Sequence, residues 1–242
     1  MHTLICCIIE VLSKSKKAME HRCNKMPNVV VSLSGGKDSM YALYVALKQG
    51  LNVNHLLFIT NGGKAHLANR WLLKLMSESL EIPAVTVSKE LSEIRRALRK
   101  LKAYILVSGV MTTPEHIDYC QEICNPIKVK HFAPLWGKNP FTALAEMKQL
   151  GFQMFVIEVD VSMGSRKSWL GKEIDDNILL EIRKLESDQN MNPIGELGEY
   201  HTLILDCPLY KKRINILESE IVWENSKGYV VIKKANLQPK TK

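Results

Sequence analysis

The fold is decided by residues 29–47, which read VVVSLSGGKDSMYALYVAL. A valine-rich run comes first, two adjacent glycines follow at 35 and 36, and apolar residues then recur at helical spacing. Runs of this kind favour a strand, adjacent glycines favour a tight turn, and the apolar spacing favours an amphipathic helix. The stretch is therefore predicted to form a strand, a loop and a helix that begins near Asp38 and ends at Gly50.

The loop in the middle of this stretch has the composition of a phosphate-binding loop. Its glycines allow backbone N–H groups to close around an anion, the helix adds its positive end, and a lysine adds a full charge. Its serines supply hydroxyl donors, and its aspartate is placed to cap the helix or to hold a magnesium ion. The residues predicted to hold the phosphates are Ser34, Gly35, Gly36, Lys37, Asp38 and Ser39, with Asp38 as the Mg2+ ligand.

The glycine spacing separates this loop from the Walker type, which has four residues between its first glycine and Gly-Lys-Ser/Thr. It resembles instead the SGGxDS signature of the PP-loop ATP pyrophosphatases. That resemblance implies ATP as the cofactor, cleavage between the α and β phosphates, and transfer of AMP to a substrate. Gly109 closes another predicted strand, at the sheet edge where ligands of open parallel sheets bind, and is added to the cofactor-binding residues.

The composition is that of an ordinary folded chain in a reducing compartment. The chain has 242 residues, 46% of them apolar, and a formal net charge of +8. It lacks an apolar run of about 18 residues, so no membrane contact is predicted. Its six cysteines are scattered, and Cys120 and Cys124 are spaced as on a buried helix face. These features favour a cytoplasmic protein, and the charge favours acidic partners such as ATP, a nucleic acid or a ribosome-associated protein.

Strand and helix signals alternate after the phosphate loop. This alternation predicts an α/β fold with a mostly parallel, doubly wound sheet and helices on both faces. One helix is predicted over residues 65–80, and others begin at Pro114 and Pro140. The predicted organisation is a peripheral extension at 1–25, an ATP-binding domain at 26–139, a smaller α+β substrate-binding subdomain at 140–237 and a frayed tail at 238–242. A chain that begins at Met26 is expected to keep its activity.

A second polar motif lies late in the chain, at residues 195–202, which read GELGEYHT. Two carboxylates, an imidazole and a hydroxyl surround two glycines just ahead of a predicted strand. Such a density of polar groups is costly unless something binds there, although a solvated glycine-rich loop fits these residues equally well when they are taken alone.

The two motifs together resemble the diphthine–ammonia ligase family, which has a PP-loop near its start and a GExGE[YF]HT-like motif late in the chain. Three further stretches resemble the family in the same order: APLWG at 133–137, SWLG at 168–171 and LDCPLY at 205–210. The resemblance covers roughly residues 28–235. Leu197 and Lys172 depart from it, since the family often has Gly at the first position and Arg at the second.

The resemblance implies that the carboxylate of diphthine, on translation elongation factor 2, is converted to the amide of diphthamide with ATP and ammonium. AMP and pyrophosphate are then the other products, and no direct nucleic-acid contact is expected. The implied catalytic residues are Asp38, Glu196, Glu199, His201 and Thr202, with the two glutamates orienting ammonium, accepting protons or placing magnesium. The implied substrate-binding residues are Trp136, Ser168, Trp169, Gly171, Gly195 and Gly198, the tryptophans facing the quaternary ammonium of diphthine.

Two other functions remain open from the residues. The basic charge suits a PP-loop enzyme that modifies tRNA, although Cys120 and Cys124 lack the Cys-x-x-Cys spacing that thiolating members use for sulfur or metal. A nucleotide-binding module without catalysis fits the first motif. It leaves unexplained the carboxylate-rich turn at residues 195–202, called the acidic turn below. Amide formation further requires that the phosphate loop and the turn at 195–202 face each other across a shared cavity.

Overall fold

The computed structural model describes residues 27–60 and 63–240, so the predicted extension at 1–25 lies outside the described residues. The strands are β1 (Val29–Ser32), β2 (Val53–Thr60), β3 (Ala84–Ser88), β4 (Ile105–Val107), β5 (Lys130–Phe132), β6 (Gln153–Asp160), β7 (Tyr200–Asp206), β8 (Lys212–Glu224) and β9 (Lys227–Pro239). The α-helices are α1 (Lys37–Lys48), α2 (Lys64–Ala68), α3 (Leu72–Leu80), α4 (Leu91–Lys100), α5 (Pro114–Cys124), α6 (Pro140–Gln149) and α7 (Asp176–Gln189).

Strands β1 to β5 form one parallel sheet in the order β3-β2-β1-β4-β5. Alternate residues of β1 point to opposite faces of this sheet. Val31 joins an apolar cluster with Leu43 of α1, and Val30 joins a second cluster with Ile94 of α4. Helices therefore cover both faces, and the predicted α/β class with a parallel sheet is confirmed.

The order of the strands reverses beside β1. The chain runs outward from β1 to β2 and β3, and then returns to place β4 on the other side of β1. Ligands of open α/β sheets bind in the crevice outside the carboxyl ends of the strands at such a reversal. The phosphate loop follows β1 and Gly109 follows β4, so both lie at this crevice.

The second sheet is antiparallel and has the order β7-β6-β9-β8. Helix α7 packs Ile178 and Ile182 into the apolar cluster that this sheet shares with one face of the parallel sheet. Strand β9 runs to Pro239, and Gln238 pairs with Arg213 of β8. This corrects the predicted frayed tail, because β8 is long enough to pair with the first two of its residues; residues 241 and 242 lie outside the described part.

The helix predicted over residues 65–80 is interrupted, so that α2 ends at Ala68 and α3 begins at Leu72. Asn69 lies in the break and is 2% exposed. Its side chain donates to the carbonyl of Val230 at 2.8 Å and accepts from the amide of Ile232 at 2.8 Å, both on β9. Asn69, in the break between α2 and α3, therefore joins this segment to β9 of the second sheet.

Two smaller expectations concern α5 and the membrane. Cys120 and Cys124 are both buried and free on α5, which confirms that their spacing marks a helix face. Across residues 27–60 and 63–240, none of the helices has the length and apolarity needed to cross a membrane.

Candidate active site at the phosphate loop

The phosphate loop is held in shape by hydrogen bonds among its own residues. The hydroxyl oxygens of Ser34 and Ser39 lie 3.1 Å apart, and the Ser39 hydroxyl donates to the carbonyl of Gly36 at 3.1 Å. Gly35 has a φ of +84°, a conformation that glycine adopts without the strain of a side chain. Ser34 is exposed while Gly35, Gly36 and Lys37 are buried, so the loop presents a formed turn and a serine hydroxyl to the crevice.

Strand β7 lies directly against this loop. The amide of Ile204 donates to the carbonyl of Gly35 at 3.0 Å, and the amide of Lys37 donates to the Thr202 hydroxyl at 3.2 Å. A Cβ at Gly36 would lie 3.2 Å from the carbonyl oxygen of Thr202. The two motifs therefore touch, rather than facing each other across an open space.

Lys37 and Asp38, both in the phosphate loop, form an ion pair with each other. Lys37 is 2% exposed, and its Nζ lies 3.1 Å from Oδ2 of Asp38 and 4.9 Å from the ring centroid of the buried Tyr200. Burial raises the pKa of Asp38 above its ordinary value of 3.8, and the Lys37 ammonium opposes that rise. The other carboxylate oxygen of Asp38, Oδ1, is shielded from solvent and has no hydrogen-bond partner among the described residues.

That unpartnered oxygen fits the magnesium ion expected at Asp38. Within the described residues, no cluster of three or more His, Cys, Asp or Glu side chains has the geometry to hold a metal ion. Mg2+ beside a nucleotide needs only one or two protein carboxylates, because phosphates and waters complete its octahedral shell. One carboxylate with an unpartnered oxygen next to a phosphate loop is sufficient for this mode of binding.

Gly109 acts through packing. A Cβ at this position would lie 2.6 Å from the carbonyl carbon of Asp38 and 2.7 Å from the amide nitrogen of Ser39. Both atoms belong to the backbone of the first turn of α1. The absence of a side chain thus lets the end of β4 approach the helix that carries the phosphate loop.

Glu196 is held by the loop that follows β4. Its carboxylate accepts from the amide of Met111 at 3.1 Å, from the amide of Thr112 at 2.7 Å and from the Thr112 hydroxyl. His116 Nδ1 lies 3.6 Å from the same carboxylate. Burial raises the pKa of Glu196, but these hydrogen bonds outweigh it and leave the pKa below its ordinary value of 4.5. Glu196 is therefore an ionised clamp between two loops.

Glu199 is held in a similar way, by the acidic turn itself. The residue is 3% exposed, and its carboxylate accepts from the amides of Asn192 at 3.3 Å and Leu197 at 3.1 Å. Its backbone carbonyl accepts from the amide of Asp160 at 2.9 Å. Gly195, with a φ of +65°, packs against the backbone of Tyr200 in the same turn, and Gly198 has a φ of +101°.

Two imidazoles meet beside the phosphate loop. The ring of His201 lies 5.2 Å from the ring of His66 on α2, and a Cβ at Gly36 would lie 3.8 Å from Cε1 of His66. Burial lowers the pKa of both histidines to about 4, and the neighbouring His201 lowers that of His66 further, as Lys37 does that of His201. Both rings are neutral at pH 7 and offer uncharged hydrogen-bonding groups.

The two tryptophans differ in exposure. Trp169 is 1% exposed, donates from Nε1 to Glu181 at 2.6 Å and packs edge-on against Tyr200 at 5.9 Å. Its predicted place in a substrate pocket is therefore corrected: the ring fills the core, because Tyr200 and Glu181 satisfy both its apolar face and its N–H. Trp136 is 47% exposed. Ser168 is exposed, and Gly171 has a φ of +76°.

Two residues of this neighbourhood were missed by sequence reasoning. His66 lies in a helix whose sequence carries no motif. Glu158 lies on β6, is 6% exposed, and accepts from the amide of Ala65 at 3.1 Å through Oε2. A carboxylate between Ile157 and Val159 in an apolar strand was the available signal, since a buried strand rarely carries a charge without a reason.

Family models and known proteins match most of this chain. A family model described as the diphthamide synthase N-terminal domain matches residues 27–131, and one described as the diphthamide synthase C-terminal domain matches residues 139–238. A protein of Schizosaccharomyces pombe named diphthine–ammonia ligase is 37% identical over 113 residues, which are 46% of this chain and 18% of that protein.

Two vertebrate proteins with the same name are also similar. The one from Bos taurus is 28% identical over 163 residues, which cover 66% of this chain and 52% of that protein. The one from Danio rerio is 25% identical over 235 residues, which cover 84% of this chain and 92% of that protein. The chain thus spans less than a fifth of the yeast relative, about half of the bovine one and most of the zebrafish one.

Proposed function

Because the chain belongs to the diphthamide synthase family, we propose that it amidates the carboxylate of diphthine on translation elongation factor 2, with ATP and ammonium as co-substrates. Diphthamide, AMP and pyrophosphate are the products. The contact between the phosphate loop and β7 carries this proposal, because it brings the two motifs of the family to one place.

The chemistry requires that a carboxylate first become a better acyl donor. A carboxylate oxygen forms a bond to the α-phosphorus of ATP, and the bond from that phosphorus to the β-phosphate oxygen breaks to release pyrophosphate. Ammonia then forms a C–N bond to the acyl carbon, AMP leaves with the electrons of the C–O bond, and ammonium loses two protons overall. Each step needs the phosphates to be held while charge moves onto the leaving oxygen.

The phosphate loop supplies that hold. The exposed Ser34 hydroxyl and the first turn of α1 face the crevice, where backbone N–H groups and the helix dipole stabilise an anion. Asp38 would hold Mg2+ through its unpartnered Oδ1, and the bound ion would neutralise charge on the phosphates. Lys37 is engaged with Asp38 and Tyr200, so we assign it to holding Asp38 rather than to direct contact with phosphate.

The second motif divides into positioning residues and contact residues. Glu196 and Glu199 already accept hydrogen bonds from backbone amides, so we assign them to holding the acidic turn against the crevice. Thr202 fixes the Lys37 amide, and His201 presents a neutral ring beside the loop. These assignments replace the roles that the resemblance had implied for the two glutamates, which were to orient ammonium, accept protons or place magnesium.

Trp136 is the aromatic residue we assign to diphthine. Its ring is substantially exposed, and the turn that carries it is bonded to the β4 loop through the amide of Gly137 and the carbonyl of Met111, at 3.0 Å. A quaternary ammonium group binds well on the face of an exposed tryptophan.

The decisive experiment is ATP–pyrophosphate exchange with purified substrates. Exchange that depends on elongation factor 2 carrying diphthine, together with ammonium-dependent release of AMP, is the expected result. Exchange that depends instead on tRNA would assign the protein to RNA modification, and ATP binding without any exchange would leave a non-catalytic module. Elongation factor 2 that already carries diphthamide serves as the matched control, since it lacks the reactive carboxylate.

A further inference from the structure

A cavity of about 390 Å3 opens beside α2, next to the turn that joins β8 and β9. The charged and phenolic side chains that line it are Lys64, Glu158, Glu224, Lys227 and Tyr229. Glu158 is the buried member of this set, at 6% exposure, whereas the side chains of Lys64, Glu224 and Lys227 are 61%, 43% and 55% exposed. The cavity therefore leads from a solvated, charged mouth to a buried carboxylate.

The charges at the mouth are already paired, and Glu158 is not. Lys64 pairs with Glu224, and the Nζ of Lys227 lies 3.4 Å from Oδ2 of Asp160. Across residues 27–60 and 63–240, Glu158 forms no ion pair, and only its Oε2 accepts a hydrogen bond, from the Ala65 amide. Its second oxygen, Oε1, is left for a ligand that the cavity admits. A buried carboxylate is stable when a cation or several donors compensate its charge, so the ligand implied here is a small cation.

Glu158 is also connected to the phosphate loop. It lies directly opposite His201 in the pairing of β6 with β7, and side chains at opposite positions of an antiparallel pair share a face of the sheet. His201 lies beside His66, and His66 lies beside Gly36 of the loop. Both imidazoles are neutral at pH 7, so they place no repelling charge between a cation at Glu158 and the loop.

We propose that Glu158 is the binding residue for the ammonium ion that this ligase consumes, and that the cavity is the path by which ammonium enters. This inference rests on the proposed function and refines it, because Glu196 and Glu199 have their carboxylates engaged by backbone amides, whereas Glu158 lines the cavity and its Oε1 accepts no hydrogen bond from the described residues. Ammonium suits the site by charge and size, and its N–H groups can be shared between a carboxylate and neighbouring acceptors.

Glu158→Gln tests the proposal with little disturbance of the fold, because the amide oxygen still accepts from Ala65 while the charge is removed. We expect the KM for ammonium to rise at least about tenfold, while the KM for ATP and the rate of ATP–pyrophosphate exchange stay within about twofold. Glu220→Gln is the matched control, since it removes an exposed carboxylate of β8 that does not line the cavity. An unchanged KM for ammonium in Glu158→Gln overturns the proposal.

A second measurement separates this site from the proposed function. Crystals soaked in thallium(I) acetate, a heavy surrogate for ammonium and potassium, are expected to show an anomalous peak at Glu158 in the wild type and in Glu220→Gln, but not in Glu158→Gln. If the wild type shows no diphthine-dependent turnover, the proposed function fails and the peak alone decides whether Glu158 binds a cation. If the wild type shows the peak but Glu158→Gln has an unchanged KM for ammonium, the site is assigned to potassium and the ammonium role is overturned. If the wild type shows no peak at Glu158, both the ammonium and the potassium assignment are overturned.

Discussion

The phosphate loop and the acidic turn lie against each other, yet their shapes have different origins. The side chains of the loop bond to partners at most five positions away, such as Ser34 to Ser39, and the bonds of the loop to β7 run through the backbone atoms of Gly35 and Lys37. The turn is held in part by Glu196, whose partners Met111 and Thr112 are 85 and 84 positions away. The side chains of the phosphate loop therefore shape the loop itself, whereas Glu196 uses its side chain to join two distant parts of the chain.

The largest expected effect is on chemistry, at Asp38 in the phosphate loop. Asp38→Asn removes the charge that would hold Mg2+ but keeps an oxygen for the Lys37 ammonium. We expect diphthine-dependent AMP release to fall on the order of 100- to 1000-fold, about 3–4 kcal/mol, with a nearly unchanged thermal unfolding midpoint. Turnover is measured beside the wild type at saturating ATP. A near-normal rate would show that Asp38 takes no part in the reaction, and the phosphate loop would then no longer differ from the acidic turn as the region that binds the ligand.

The next effect is on stability, at the two tryptophans. Trp169→Ala leaves a large cavity in the core and is expected to lower the free energy of unfolding by about 3–4 kcal/mol. Trp136→Ala removes an exposed ring and is expected to change it by less than about 0.5 kcal/mol while raising the KM for the protein substrate. Urea denaturation followed by fluorescence and circular dichroism measures both. Equal stability losses would mean that Trp136 also belongs to the core.

Gly109 sharpens the comparison at the join between β4 and α1. Gly109→Ala places a methyl group within 2.7 Å of backbone atoms of the first helical turn, and we expect a loss of about 2–3 kcal/mol. Gly50→Ala is the matched control, because nothing lies within 4 Å of the added carbon and the loss comes only from its φ of +83°, about 1 kcal/mol. The reverse order of losses in guanidinium unfolding would contradict the packing role of Gly109.

The smallest effect is expected at Glu196, and it depends on pH. Glu196→Gln should cost about 1–2 kcal/mol near neutral pH, because an amide meets donors that a carboxylate had accepted from. The folded-state pKa of Glu196 is lowered, so its ionised form contributes fully above about pH 5, and that contribution is lost as the pH falls through the folded value. Unfolding curves should therefore show the gap between wild type and variant narrowing on acidification; a gap that widens would rule out the clamp.

The order of elements was predictable wherever local signals agreed with one another. The strand, loop and helix over residues 29–48 were predicted closely, because valines, glycines and apolar spacing each favour a single structure there. The helix over 65–80 was predicted as continuous and is interrupted, since the side chain of Asn69 bonds to a strand about 160 residues later. A break made by a distant partner leaves little trace in the local pattern.

The candidate site was predictable in its location and less so in its roles. Motif residues marked the phosphate loop and β7, and these segments touch. The sequence could not show that Glu196 and Glu199 accept from backbone amides, because every residue type except proline carries a backbone N–H. The roles of Trp169 and Glu158 likewise depend on their neighbours in the folded chain. Whether a side chain is exposed or buried is a property of the tertiary structure.

The pair of hydrogen bonds between the phosphate loop and β7 has a consequence for hydrogen exchange. The amide hydrogens of Lys37 and Ile204 are donated across the same contact, one from each half of the chain. Any opening that separates the halves releases both, so the two amides should exchange with deuterium at a common rate even though they lie far apart in sequence. A nucleotide that binds and stabilises the loop should then slow deuterium exchange at the Ile204 amide. The ratio of the exchange rates without and with nucleotide gives the coupling free energy between nucleotide binding and the contact of the loop with β7.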